Sequence, residues 1–473
     1  MSTYAPTIRF QQRALPGAVG FRAVTSSALM LWIPLALVAV SIYGIEHDTA
    51  FSSVDNRFGE EGIDLAKDVA GSSLARELGV IAIGALGGLL LFKLSAKPVN
   101  VDWRQMFLIA ALCSWLIVSA LWAEDAALSL KRSLLPVLLI IGALGIAKHL
   151  QPRQICLFTA ILTGGFLLLG IAAEIAQGSF LLGSNYRFSG TLHPNNQGVN
   201  CAALCLASIC LWSQSGTERR GLQHTFWLLT FIVGLAFLML TQSRTSAIAV
   251  AMALLACFAL GAPRSRKFMA AAILAPVVVL LATYLLTTDH GSELMLDAVE
   301  MGRAEDTGEV TTLTGRIPIW DKVLGDVAER PISGYGYGAF WTTERVVRYT
   351  RLLNWEFNHA HSAYLETMLN AGAIGLALGL LIAARALWSA AHSFIAASDS
   401  GYLFIVAVIV LALVHGVLDS NFVTVGFAPL LGMLCISAAA LHCKSAIDEP
   451  IPASTSEDVR PKSDARQAFQ RIG

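Results

Sequence analysis

Residues 311–341 read TTLTGRIPIWDKVLGDVAERPISGYGYGAFW, and after a charged linker residues 359–375 read HAHSAYLETMLNAGAIG and run on into an apolar helix. A Gly-Arg pair heads an amphipathic segment, a Gly/Tyr/Trp-rich turn follows, and a His-x-His comes last. All of these lie outside hydrocarbon but against its edge. The chain on either side is of another kind. Over all 473 residues, 55% are hydrophobic and 14% charged, where soluble domains carry roughly a quarter charged residues. The apolar residues gather into runs of roughly 17 to 25, the length that crosses a bilayer as helix. The composition therefore predicts an all-α polytopic membrane protein that holds the polar stretch at the bilayer surface.

Hydropathy predicts about twelve spans, at 27–44, 78–94, 106–122, 134–148, 155–177, 199–213, 225–242, 245–260, 268–287, 363–388, 401–418 and 422–442. Lys93, Lys97, Arg104, Lys148, Arg153, Arg219, Arg220, Arg264, Arg266, Lys267 and Arg385 all fall in one set of connections. With the basic N-terminus and tail, that set faces the cytoplasm under the positive-inside rule. The organisation expected is a cytoplasmic N-terminus (1–26), a transmembrane bundle of about nine spans (27–287), a large outer loop (288–362), a bundle of about three spans (363–442) and a disordered cytoplasmic tail (443–473). Arg9, Arg13 and Arg22 with no small-residue cleavage site resemble a cytoplasmic lead-in more than a cleaved signal peptide.

The outer loop is too long for a structureless connection. Ile317, Trp320, Val323, Leu324 and Val327 recur at helical spacing, which predicts an amphipathic helix on the membrane, stopped by Pro331. Formal net charge is zero, so nothing points to nucleic acid. The eight cysteines fall within or at the ends of spans, which supports neither a disulfide framework nor a zinc cluster.

Arg244 and Arg316 each occupy the head of an expected helix on the outer face, where a cation opposes the macrodipole. An anion bound there by backbone amides and guanidinium makes sense of this placement. Snorkelling to lipid headgroups is the alternative for Arg244, and simple solvation for Arg316. Two arginines so placed favour a shared anion, and their planar fork suits a pyrophosphate. His361 sits where a helix N-terminus disfavours imidazolium, so a neutral ring able to accept a proton is expected; an interfacial histidine without chemistry is the alternative. A His-x-His metal site is disfavoured, because i and i+2 side chains of a helix do not face each other. The rings of Tyr335, Tyr337 and Trp341 offer faces for sugars, or equally an interfacial aromatic belt. The 187–198 loop, RFSGTLHPNNQG, adds Arg187, His193 and Asn195. Glu174 and Asp419 are acids in or beside spans and so functional candidates by default, or helix-to-helix hydrogen bonds.

At these residues the sequence resembles the O-antigen ligase and polymerase superfamily of bacterial membrane glycosyltransferases. SRTSAIAV at 243–250, TGRIPIW through GYGYGAF at 314–340, and HAHSAYLETMLNAGAIG at 359–375 match its blocks in order. WAEDAALSLKRS at 122–133 and RFSGTLHPNNQG at 187–198 resemble weaker ones. The ligase pattern of His, then Asn/Ser/Gln, nine residues, Gly, two residues and Gly/Thr/Tyr is met by His361, Ser362, Gly372 and Gly375. The resemblance implies a GT-C-like helical fold in the bacterial inner membrane, with the active site facing the periplasm. It implies an undecaprenyl-pyrophosphate-linked glycan as donor, lipid A–core or a growing glycan as acceptor, and no need of metal or nucleotide cofactor. By the same analogy Arg244 and Arg316 bind the pyrophosphate and His361 takes the acceptor proton, with inversion at the anomeric carbon. Arg187, His193, Asn195, Trp320, Tyr335, Tyr337 and His359 are candidates to line the substrate site. The motifs leave ligase and polymerase open, with the gap-free His361 pattern placing ligase first. A polysaccharide transporter or flippase is the rival class, but transporters hold substrate near the midplane between related halves, whereas these polar residues cluster at one face.

Overall fold

The computed structural model describes residues 21–47, 74–92, 99–181, 186–213, 221–261, 316–353 and 358–443, with side chains of the first helix described from Pro34 onward. Among these residues the secondary structure is helical, with no strand. In chain order the helices are α1 (Phe21–Glu46), α2 (Leu74–Phe92), α3 (Trp103–Val118, extended by a 3-10 turn at Ser119–Trp122), α4 (Ala126–His149), α5 (Pro152–Gln177), α6 (Pro194–Ser213) and α7 (Leu222–Leu240). They continue with α8 (Arg244–Gly261), α9 (Arg316–Glu329), α10 (Thr343–Leu353), α11 (Ala363–Ala397), α12 (Ser400–Leu418) and α13 (Phe427–His442). Every expected span falls on one of these helices except that at 268–287. That span, the loop up to residue 315 and the tail from 444 lie outside the described residues.

Eight of the helices (α2, α3 with its 3-10 turn, α4, α5, α7, α8, α11 and α12) are long and apolar enough to cross a membrane. The Pro34–Glu46 part of α1 and all of α13 are apolar but shorter. The protein is therefore a multi-pass, all-α membrane protein. Its centre is α12, which packs against α5, α6, α8, α11 and α13. At the edge, α7 buries only Gly234 and Leu238 and turns Leu222, Phe226 and Leu229 outward, as a lipid-facing helix does. Backbones approach closely where α2 crosses α4. A Cβ on Gly87 would stand 2.3 Å from the Gly142 Cα, and one on Gly145 would stand 2.2 Å from the Gly87 carbonyl oxygen. Small residues at such a crossing let helices touch without hydrophobic drive from the lipid.

The end of the bundle rich in Lys and Arg is tied by polar bonds to helix termini. Lys148 Nζ donates to the Leu91 carbonyl at 2.5 Å, a cation where the α2 dipole is negative, and the His149 ring meets the Leu90 carbonyl at 2.9 Å. Asp102 caps α3, accepting from the amides of Arg104 and Gln105 at 3.1 and 3.2 Å. Its carboxylate also takes Arg385 of α11 in a fork, with Nη2 at 2.7 Å from one oxygen and 2.8 Å from the other, and Nε at 3.0 Å.

Removing one partner of a buried charge pair strands the other, at a cost of about 3 kcal/mol, and the cap is lost as well. Asp102→Ala should therefore lower the melting temperature of the detergent-purified protein markedly. An unchanged melting curve would show that this clasp carries no stability.

Candidate functional site

The site lies at the opposite end of the bundle and is built from four pieces of chain. The first is α9. Its buried face is Ile319, Val323 and Val327, which join Tyr335, Phe340, Trp341, Val346, Tyr349, Ala360 and Leu369 in a small core separate from that of the bundle. The expected face is thus corrected by part of a turn. Ile317 and Leu324 are exposed and Ile319 is fully buried, because the helix lies on α11 rather than on lipid alone. The helix ends at Glu329, two residues before Pro331. Arg316 is its first residue.

The second piece is the glycine-rich turn, which fastens that small core to the bundle. α11 is interrupted at Gly372, with φ of 64° and ψ of −169°. The gap receives the turn: Ala373 N–H donates to the Pro331 carbonyl at 2.8 Å and Tyr335 N–H to that of Leu369 at 2.7 Å. A Cβ at Gly372 would stand 2.1 Å from the Ile332 oxygen, so only glycine fits. Further on, Tyr337 N–H donates to Ser119 Oγ at 2.9 Å, Gly338 N–H to Asn370 Oδ1 at 2.9 Å, and Arg132 to the Gly338 carbonyl.

The tyrosines serve this packing. Tyr335 is buried against Phe340, with the guanidinium groups of Arg330 and Arg345 at 4.8 and 5.1 Å from its ring. Its hydroxyl lies 2.9 Å from the Asp326 carbonyl and 3.0 Å from the Glu329 carboxylate. Burial, then Glu329, pushes its pKa up to about 12. Tyr337 is half-buried, and burial pushes it to about 12 as well. An open cleft of about 490 Å³ beside the turn is lined by Trp122, Glu329, Arg330, Pro331, Ile332 and Ser333, none of them a candidate site residue from the sequence.

The third piece is Asn358–Ser362. The Ala360 peptide is gripped on both sides: its N–H donates to Glu366 Oε2 at 2.9 Å and its carbonyl accepts Trp320 Nε1 at 3.0 Å. His361 follows with φ of 50°, a left-handed conformation that costs an ordinary residue roughly 1–2 kcal/mol. Its N–H donates to His359 Nδ1 at 3.2 Å, and the two rings lie 3.9 Å apart. As an acceptor, His359 Nδ1 is unprotonated. Burial, then Arg316 and His193, lowers the His359 pKa to about 4. Burial, then His359, Arg316 and His193, lowers that of His361 to about 2. The expected neutral ring is therefore reached chiefly by desolvation and cationic neighbours. Asp419 completes the neighbourhood: burial raises its pKa, while Arg316 and the amides of Asn421 and Ser420 oppose this.

The fourth piece is the 186–198 loop against the head of α8. Glu174 accepts from the amides of Ser189 and Gly190 at 3.0 and 2.7 Å and from the Tyr186 hydroxyl, so it shapes the loop rather than joining two helices. Arg187 Nε donates to the Thr241 carbonyl at 3.0 Å and its Nη2 to Asn195 Oδ1 at 3.2 Å. That fastens the loop to the turn leading into Arg244. His193 is exposed and its Nδ1 accepts the Asn195 N–H at 3.3 Å.

The structure thus gathers Arg316, His193, His359, His361 and Asp419 into one electrostatic neighbourhood. The head of α8, which Arg244 opens, is linked to it by way of the end of α12. Ser246, two residues into α8, meets His415 Nε2 at 3.2 Å, and the next residue, Gly416, accepts from Ser362 Oγ at 3.4 Å. Sequence reading passed over Glu366, Ser246 and His415. An acid and a histidine inside apolar spans were the available signal. Among the described residues no three His, Cys, Asp or Glu side chains are placed to share a metal ion.

Fold and site define a multi-pass helical membrane protein that brings Arg316, His359 and His361 together at one end of the bundle. Residues 229–380 match the family model described as O-antigen ligase. The chain is also 25% identical over 346 residues to the exopolysaccharide production protein ExoQ of Rhizobium meliloti (strain 1021), covering 65% of this chain and 72% of that protein. Over these residues the chain is similar to the O-antigen ligase and polymerase superfamily.

In protein reconstituted with labelled histidine, the NMR signals of His359 and His361, assigned by single substitution, should not titrate between pH 7 and pH 5. A midpoint near 6.5, the ordinary value for histidine, would mean that the rings stand in water.

Proposed function

We propose that this protein transfers a glycan from a polyprenyl-pyrophosphate donor, undecaprenyl in bacteria, to an acceptor hydroxyl on the periplasmic face of the inner membrane. The observation that carries the reading is the neutral His361 beside the guanidinium of Arg316. His361 takes the acceptor O–H proton as that oxygen forms its bond to the anomeric carbon. The bond from that carbon to the pyrophosphate oxygen breaks, and the leaving pyrophosphate keeps the electron pair. Attack opposite the leaving group inverts the centre. Arg316 and Arg244 hold the pyrophosphate and stabilise its departing charge. His193, Arg187 and Asn195 are the residues of the 186–198 loop assigned to the substrate site in this reading.

An imidazole with a pKa near 2 is a weak base, and the donor remedies this. Docked pyrophosphate offsets the charge of Arg316 and adds an anion beside His361, which raises its pKa toward the range useful for general-base catalysis. Base strength is thereby coupled to donor occupancy, so that the free enzyme carries no reactive base.

Two acceptors fit this chemistry. The unbroken His361-to-Gly375 motif favours a ligase loading glycan onto lipid A–core. Similarity to an exopolysaccharide production protein favours a polymerase that uses a second lipid-linked repeat. Purified protein given one lipid-linked donor with each acceptor separately decides between them. Transport of substrate across liposomes with no new glycosidic bond would remove both.

His361→Ala should lower turnover by about 10²–10⁴-fold. Loss of Arg244 or Arg316 should cost about 1.5–3 kcal/mol, or roughly one to two orders of magnitude in rate. Full turnover by His361→Ala would defeat the assigned base. The acid limb of kcat, which reports the donor-bound enzyme, should lie at higher pH than that of kcat/KM for donor. Coincident limbs would show that the donor does not tune the histidine.

A further inference from the structure

We propose that Glu366, which lies five residues beyond the base and outside the substrate chamber's own cationic lining, is the positioning residue that sets His361 against Arg316. The inference rests on reading His361 as the proton acceptor.

Glu366 is buried in the first turn of α11. Its carboxylate accepts from Ala360 N–H at 2.9 Å, from Trp341 Nε1 at 3.1 Å to each oxygen, and from Asn370 Nδ2 at 3.1 Å. Three donors converge on one acceptor-only group. A glutamine there would turn an amide N–H₂ toward donors and lose part of the set. A leucine would fill the space at no desolvation cost, so packing alone does not account for an acid buried at the membrane edge.

Each donor leads to a different part of the site. Ala360 is the peptide directly before His361. Trp341 ends the aromatic turn. Asn370, through its Oδ1, takes Gly338 N–H and so anchors the same turn to α11. On its other side the Ala360 peptide gives its carbonyl to Trp320, four residues and about one turn along α9 from Arg316. The backbone of Ala360, its N–H held by Glu366 and its carbonyl by Trp320, therefore ties the histidine to the arginine's helix. It also keeps His361 in its left-handed conformation, which no side chain of the histidine itself could enforce.

The effect runs through the backbone and not through the field of the carboxylate. The side chains that act on the His361 ring through their charge or titration are His359, Arg316 and His193; Glu366 is not among them. A displaced His361 should slow proton transfer while leaving the arginines to bind donor. The signature is thus a fall in kcat with KM for donor preserved.

The test is a double-mutant cycle in purified full-length protein, with a polyprenyl-pyrophosphate-linked glycan and its acceptor. Glu366→Gln alone should lower kcat by about tenfold to a hundredfold, the cost of a misplacement of about 1 Å, with donor KM within about twofold. Placed on His361→Ala, it should lower the residual rate no further, because residues that act as a unit are not additive. The same fall on both backgrounds would mark Glu366 as a general structural residue and overturn the proposal, as would unchanged kcat in the single variant. Trp320→Phe removes the other grip and should show the same non-additivity; it serves if Glu366→Gln does not fold. If His361→Ala itself retains full activity, the base assignment fails, which is distinguishable from additive losses that spare the base and sink only Glu366.

Discussion

The interruption of α11 at Gly372 is the constraint on which the remainder of the molecule depends. A membrane helix must satisfy its own backbone groups, and irregular backbone at such depth is tolerated only where protein covers it. Here the exposed groups are covered by the turn from Pro331 to Tyr335, which supplies the Pro331 carbonyl to Ala373 and takes that of Leu369. The bilayer's intolerance of unpaired backbone thus becomes the force that fixes a polar loop segment to the bundle. With that joint made, α9 lies along α11 and its first residue, Arg316, comes to the histidines at the head of the same helix. A Cβ at Gly372 would meet the Ile332 oxygen at 2.1 Å and push the two apart.

Putting a guanidinium beside two histidines is costly unless the rings stay neutral or an anion arrives. Desolvation, the first cause of the lowered pKa at both His359 and His361, removes water's support for imidazolium. Arg316 adds repulsion in the same sense. Burial and charge therefore agree, and at the resting site the guanidinium of Arg316 stands beside two uncharged rings. Such a site is arranged for a ligand carrying concentrated negative charge, and its acid–base properties change when that ligand enters. Asp419 lies near Arg316 but is not among the groups that shift either histidine.

The scaffold was legible because lipid imposes a length. Eleven of the twelve expected spans fall on described helices, eight of them long and apolar enough to cross a membrane, and the side carrying Lys148, Arg385 and their partners is one end of the bundle. What was not legible depends on contacts between distant parts of the chain. The helical period on α9 was visible, but whether Ile317 or Ile319 faces inward depends on α11, which lies some forty residues on in the sequence. α10 escaped as a charged linker, although Val346 and Tyr349 stand three apart and are both buried. Tyr335 and Tyr337 read equally as sugar platforms or belt residues, and their packing roles come from Ser119, Leu369 and Asn370, which no local pattern links to them. The head of α6 begins at Pro194 rather than near 199, a start that proline at a first helical position does signal.

Glu366 belongs to that second group for an instructive reason. In sequence it is one acid near the start of an apolar helix, where a negative charge suits the helix dipole. That local benefit explains the residue well enough to hide its other work. Its three donors come from residues 341, 360 and 370, and only the broken α11, with the turn seated in it, brings the first of these within reach. The joint at Gly372 and the grip at Ala360 are therefore two ends of one arrangement, since the turn that fills the break also delivers Trp341 to the carboxylate. A change that loosened the break would release the peptide before His361 without touching either the histidine or the arginines.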